Sequence, residues 1–198
     1  MNEDHIILVG GSWGGMRAAG LILGTLPRRF PAAVVIAQHR SHDSTGDSMA
    51  TFLASRSQLP VSEAEDKQVI EGGRVYLAPA DYHLLIEPGT FALSTDEKVQ
   101  YSRPSIDVLF ASAADSYGSR AVGVILTGAN EDGARGLAQL KRAGATTIAQ
   151  DPSTADRPEM PQAAIERGAA TVVLPLADIG AYLVEKASEA IAEQGRGA

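Results

Sequence analysis

Ile6-Ile7-Leu8-Val9-Gly10-Gly11-Ser12-Trp13-Gly14-Gly15-Met16 decides the fold class of this chain. A β-branched apolar run ends in glycines, and from Met16 to Leu26 apolar residues recur at helical spacing until Pro27 intervenes. The stretch reads as strand, tight turn and helix. Val34 to Ala37 repeats the strand signature, a polar loop covers His39 to Asp47, and Ser48 to Arg56 reads as a second helix. A βαβα start implies a parallel sheet covered by helices.

Further along, Arg74 to Leu77, His83 to Glu87 and Thr90 to Ser94 are short strand candidates separated by Pro79, Asp81 and the Pro88-Gly89 turn, and together they read as a hairpin excursion. The βα alternation then resumes. Ile106 to Ser116 has helical spacing, Ala121 to Leu126 is a buried-type strand, and Gly133 to Ala143 is a helix ending at Gly144. Thr146 to Ala149 and Thr171 to Leu174 supply two more strands, with Pro161 to Glu166 a helix between them and Ile179 to Ala192 a terminal helix. One domain over residues 1–193 and a frayed tail from Gln194 to Ala198 are expected, and neither a repeat nor a low-complexity segment is visible.

Composition narrows the function. With 44% hydrophobic and 21% charged residues among 198, the chain has an ordinary globular composition. The formal charge of −7 and the lack of any Lys/Arg block argue against a nucleic-acid ligand. Without cysteine there is no disulfide, thiolate metal site or cysteine nucleophile. No stretch approaches the roughly 18 to 20 apolar residues that span a bilayer, and the residues around Glu3 and Asp4 do not resemble a signal peptide. A cytoplasmic location without direct membrane insertion is the expectation.

Three chemistries compete for the Gly10 to Gly15 turn. A dinucleotide fingerprint needs room for the pyrophosphate where Ser12 stands, and a P-loop needs lysine where Met16 stands. Gly10-x-Ser12-x-Gly14 fits instead a nucleophile turn, with a serine exposed at the carboxyl end of a strand and a helix amino terminus beside it. Of four histidines, His39 follows the second strand and would share that sheet edge with Ser12; His42 and then His83 are rivals, and His5 starts the first strand. The third strand end leads through Thr127-Gly128-Ala129-Asn130-Glu131 to Asp132, a candidate acid whose simpler reading is the N-cap of the following helix. Asp81, Asp107 and Asp151 are lesser candidates.

These residues resemble the catalytic domain of the chemotaxis protein-glutamate methylesterases. The pattern is similar in the Gly-x-Ser-x-Gly-Gly turn at Gly10 to Gly15, in Gln38-His39, Glu63-Ala64-Glu65-Asp66, Val75-Tyr76-Leu77-Ala78-Pro79 and His83-Leu84. It continues with Arg103-Pro104-Ser105-Ile106-Asp107-Val108-Leu109-Phe110, Ala121 to Gly128, Asp132-Gly133-Ala134, Thr147-Ile148-Ala149-Gln150 and Met160-Pro161-x-x-Ala164-Ile165. The resemblance spans nearly the whole chain. It implies a three-layer α/β/α fold around a mainly parallel, doubly wound, seven-stranded sheet, with a β-hairpin excursion.

It also implies hydrolysis of glutamyl methyl esters on chemoreceptor cytoplasmic domains, with glutamine deamidation as a further activity. A triad of Ser12, His39 and Asp132 is implied, with an oxyanion donor at the backbone amide of Ala129 and a second near Trp13. No metal or organic cofactor is called for. Trp13, the Arg40-Ser41-His42-Asp43 loop and Ala129 depart from the usual pattern; Trp13 would either narrow the pocket and stack on substrate or cover local apolar surface. Many members carry an amino-terminal receiver domain, whereas this chain begins with the first catalytic strand, so a stand-alone or trimmed esterase without that control in cis is expected. Oligomeric state stays open, with a monomer compatible. Three other readings remain: a degenerate scaffold that binds receptor or partner without turnover, an anion- or nucleotide-binding α/β domain, and an esterase for another acyl substrate.

Overall fold

The computed structural model of the protein describes residues 5–39 and 46–194. His42 and the Arg40 to Asp43 loop, and most of the expected tail, lie outside the described residues. In chain order the elements are β1 (Ile6–Gly11), α1 (Gly15–Thr25), β2 (Ala33–Gln38), α2 (Gly46–Ala54), β3 (Val61–Glu63), β4 (Val75–Leu77), β5 (His83–Glu87) and β6 (Thr90–Ser94). They continue with α3 (Ile106–Tyr117), β7 (Ala121–Ile125), α4 (Ala134–Arg142), β8 (Thr146–Gln150), α5 (Glu159–Glu166), β9 (Val172–Leu174) and α6 (Leu176–Gln194).

The main sheet has seven strands in the order β3-β4-β2-β1-β7-β8-β9, and every neighbouring pair is parallel. All residues of β1, β2 and β7 are buried, so these strands read as continuous apolar runs, as helix-covered parallel strands must. The period of two sorts them between layers. Ile6 and Leu8 join the core formed with Leu109 and Phe110 of α3, Leu137 of α4 and Met160 of α5. Ile7 and Val9 join the opposite core with Ile22 and Leu23 of α1, Leu53 of α2, and Ile179 and Leu183 of α6. Burying both faces of the central strands is the main apolar stabilisation of the fold.

Two parts of the middle differ from the sequence reading. The excursion is a hairpin of β5 and β6 alone, while β4 lies in the main sheet between β3 and β2. β3 was not expected at all. Val61-Ser62-Glu63 is a three-residue, half-buried edge strand, too short and too polar to show a period. The hairpin packs Leu84, Ile86 and Phe91 beside α3, where Ser112 accepts a hydrogen bond from the Ile86 amide and Ser116 donates one to its carbonyl.

The strand order reverses at β1, which has β2 on one side and β7 on the other. In an open α/β sheet the crevice beyond the carboxyl ends at such a switch point is the usual place for a ligand. Ser12, His39 and the segment leading to Asp132 all follow those three strand ends.

Candidate active site

Backbone bonds hold the three strand ends together. The Ser12 amide donates to the Thr127 carbonyl at 3.0 Å, the His39 amide donates to Gly11 O at 3.1 Å, and Leu126 N donates to Gly10 O at 2.8 Å. The buried Gln38 carboxamide donates to Ser12 O at 2.7 Å and to His39 O at 2.9 Å, tying nucleophile turn and histidine through one side chain. Gly14 makes the turn possible at φ 78°, a left-handed conformation that side chains resist, and it caps α1.

His39 Nε2 lies 2.7 Å from Asp132 Oδ2. A carboxylate only accepts, so Nε2 carries the proton and the lone pair of the neutral ring is on Nδ1. Nδ1 faces Ser102 Oγ and Asn130 Nδ2, each at 3.5 Å. Among the described residues no hydrogen bond joins Ser12 Oγ to His39; such contacts commonly close only with substrate in place.

Asp132 is fully buried. It does not cap its own helix: the N-cap of α4 is Gly133, with φ 93° and no side-chain bond. Instead Asp132 reaches across to the amino terminus of α3. It accepts from Ser105 Oγ at 2.9 Å, the Ile106 amide at 2.8 Å and the Asp107 amide at 3.0 Å. Burial pushes this carboxyl up, but the bonds from His39, Ile106 and Asp107 together outweigh it and hold it below the usual carboxylate range. The anion also sits at the positive end of the α3 dipole.

The rivals among the described residues stand elsewhere. His83 is buried, with Nε2 donating to Glu97 O at 3.0 Å and Nδ1 accepting from the Ser105 amide at 3.2 Å, so it braces the residue that braces Asp132. His5 precedes β1, at the opposite edge of the sheet. Asp81 pairs with Arg103 at 2.8 Å, and Asp151 caps the short turn at Ser153 at 2.8 Å. Asp107 accepts the Gly136 amide at 2.8 Å and has Arg135 at 3.4 Å; burial foremost raises its carboxyl above the ordinary value.

Sequence reasoning did not assign work to Gln38, Ser105 or Asn130, and it considered His83 only as a rival base, not as a brace. Ser105 and His83 stood within motifs of the resemblance, but their roles depend on contacts 22 to 27 residues apart. Trp13 is 70% exposed and covers little of the protein's own surface. Ala129 is exposed on the β7–α4 loop, directly after Gly128, which passes against Ser12. A cavity of about 430 Å³ opens beside Ser12, lined also by Met16, Arg17, Met49 and Phe52. Arg17 is paired with Asp156 at 2.6 Å. Among the described residues no helix is long and apolar enough to cross a membrane.

Comparison with known proteins identifies the family. The family model described as CheB methylesterase matches residues 7–183. A Leptospira interrogans protein, provisionally named protein-glutamate methylesterase/protein-glutamine glutaminase, is 45% identical over 185 residues, covering 93% of this chain and 95% of that protein. The protein-glutamate methylesterase FrzG of Myxococcus xanthus is 41% identical over 91% of this chain, which spans 54% of FrzG. The crystal structure of the Thermotoga maritima CheB methylesterase catalytic domain matches with a TM-score of 0.87 at 39% identity, covering 92% of this chain and 98% of that one. Matched over most of its length in both sequence and fold, the chain belongs to the CheB methylesterase family.

Proposed function

We propose that the protein hydrolyses the γ-methyl esters of glutamyl residues in chemoreceptor cytoplasmic domains, releasing methanol, and that it also deamidates receptor glutamines. The observation that carries this reading is the 2.7 Å bond from His39 Nε2 to the buried, anionic Asp132, at the sheet edge where Ser12 stands. That bond leaves His39 Nδ1 as the base for the serine.

In the proposed reaction His39 Nδ1 takes the Ser12 proton as Oγ attacks the ester carbonyl, and Asp132 stabilises the imidazolium. Methoxide is a poor leaving group, so the same Nδ1–H protonates it; ammonia would leave by the same route from a glutamine. Water, deprotonated by Nδ1 in turn, then attacks the acyl carbonyl; as the bond to Ser12 Oγ breaks, Nδ1–H returns the proton to Oγ and the receptor glutamyl side chain is freed as a carboxylate. Backbone amides at Trp13 and Ala129 are the proposed oxyanion donors, each worth about 3 kcal/mol in comparable hydrolases. Trp13 stands free beside the nucleophile and is suited to stack on a receptor helix, which argues against a scaffold whose serine is occluded.

The test is methanol release from methylated receptor cytoplasmic fragments. Wild type is expected to release it and Ser12→Ala is not. A folded wild type that releases none from several receptors would remove the demethylase reading and leave a binding scaffold or a different ester.

A further inference from the structure

Asn130 has no part in the chemistry above, yet its carboxamide is oriented at the base. The Asp132 amide donates to Asn130 Oδ1 at 3.2 Å, which fixes the oxygen on that side and turns the NH₂ group toward His39. Nδ2 then lies 3.5 Å from His39 Nδ1. At that distance the bond is weak, but its polarity is unambiguous: a carboxamide NH₂ only donates, so it is compatible with a lone pair on Nδ1 and opposed to a proton there. Ser102, also at 3.5 Å, is a hydroxyl that donates or accepts and makes no such distinction.

We propose that Asn130 is a positioning residue for the reaction: anchored through Oδ1, it sets a donor against Nδ1 of His39, so that a second proton on the ring is opposed and the proton taken from Ser12 is not retained there. The inference rests on the esterase reading. When the Ser12 O–H bond breaks and Oγ bonds to the carbonyl carbon, the proton moves to Nδ1 and faces the NH₂ of Asn130, donor against donor. The conflict ends when that proton passes to the methoxy oxygen as the C–O bond breaks and methanol departs. Asn130 thus opposes a long-lived imidazolium.

Among the described residues Asp132 is the titratable group bonded to the imidazole, from the β7–α4 segment. The segment before α3 presents Ser102, which does not titrate in this range. His83 and Asp107, the latter with Arg135, stand behind Asp132 around the α3 terminus.

The discriminating variant is Asn130→Asp, which keeps the acceptor for the Asp132 amide and replaces the donor at Nδ1 by an acceptor. Side-chain ¹⁵N NMR of the free protein reads the protonation of His39 directly, without any substrate. Wild type is expected to carry the proton of the neutral ring on Nε2, and Asn130→Asp to hold a second proton on Nδ1 to higher pH than wild type does. In methanol release, the acid limb of kcat/KM should move up by about one pH unit in Asn130→Asp, as for an opposite charge placed within 4–6 Å. The value of kcat should fall about tenfold or more while KM stays within about twofold, the pattern of a transition-state effect.

Asn130→Ala, which should keep the Nε2–H tautomer held by Asp132 but let Nδ1 take a second proton at higher pH than wild type, covers the case in which the aspartate variant does not fold. Unchanged ¹⁵N spectra and an unmoved acid limb in the variants would overturn the proposal, even if their activity fell, because that is what a residue merely holding its loop would do. If wild type cleaves no receptor ester, the esterase reading fails, while the NMR comparison still decides what Asn130 does to His39.

Discussion

Asp132 binds His39 Nε2 at 2.7 Å with the same carboxylate that takes the Ile106 amide at 2.8 Å, so the orientation of the histidine and the seating of α3 share one anion. The connection between site and fold is therefore direct. β2 supplies the histidine, the β7–α4 loop supplies the acid, and α3 holds that acid in place.

Replacing Asp132 should separate these two duties. In Asp132→Asn the new NH₂ must face either the Nε2–H of His39 or a backbone N–H of α3, since both demand acceptors. Facing the histidine, it inverts the tautomer. We expect kcat to fall roughly 10³- to 10⁴-fold, as when a triad aspartate becomes an amide elsewhere. Asp132→Ala strands the Ile106 and Asp107 amides and the Ser105 hydroxyl, and should in addition lower stability by about 3 kcal/mol in urea denaturation. Equal stability of the two variants would show that the α3 bonds carry little weight.

The two neighbouring carboxyls should act on acid stability with opposite sign. Asp132 titrates below its ordinary value, so its contribution is full above about pH 4 and is lost as pH falls through its lower folded value. Asp107 titrates above its ordinary value because of burial, so its contribution is full at low pH and declines as pH rises from about 4 through its folded value. Urea midpoints measured from pH 3 to pH 7 should therefore rise more steeply in Asp107→Asn than in wild type, and less steeply in Asp132→Asn. Parallel curves for all three would refute the assignment.

How much of this was legible follows from where each signal lies. β1, β2 and β7 are continuous apolar runs because helices cover both faces, and that pattern is local. The short strands are another matter. β3 pairs only with β4 at the sheet edge, and its position depends on a partner that lies outside its own three residues. The three proposed triad residues could be nominated because each follows a strand end, and parallel strands bring those ends to one edge. The bonds from Asp132 to α3 were not legible: its place before α4 also allowed a simple cap, and the turn at Gly133 sends the carboxylate to α3 instead. The braces at His83, Ser105 and Asn130 act across long loops and leave no periodic trace.

Trp13 offers a test of substrate contact. Its side chain is too exposed to contribute much to folding, so Trp13→Ala should leave Tm within about 1 °C, as for a surface substitution. If it stacks on the receptor helix, KM should rise about five- to tenfold with a smaller change in kcat, the signature of a contact made equally in ground and transition states. A fall in Tm with KM unchanged would return Trp13 to the role of surface cover.

Gly128 should prove indispensable for a steric reason that lies in Ser12, the proposed nucleophile. A Cβ there would stand 2.6 Å from Met160 Cε, 2.8 Å from its sulfur and 2.9 Å from Ser12 Cβ. The methionine end is flexible and can shift. Ser12 cannot: its amide is bonded to Thr127 O and its carbonyl to Gln38 and Gly15. Gly128 cannot retreat either, because its amide donates to Arg157 O at 3.0 Å and its carbonyl accepts from the Met160 amide at 3.0 Å. Gly128→Ala should therefore displace Ser12 and lower kcat/KM about 100-fold, the usual consequence of a misplacement near 1 Å. Gly168→Ala is the contrast. That glycine has φ 66° and open space around its Cβ, so the variant should lose about 1 kcal/mol of stability from backbone strain with activity intact. Activity retained in Gly128→Ala would mean that the β7–α4 loop is free to move away from the serine, and would weaken its assignment to the oxyanion.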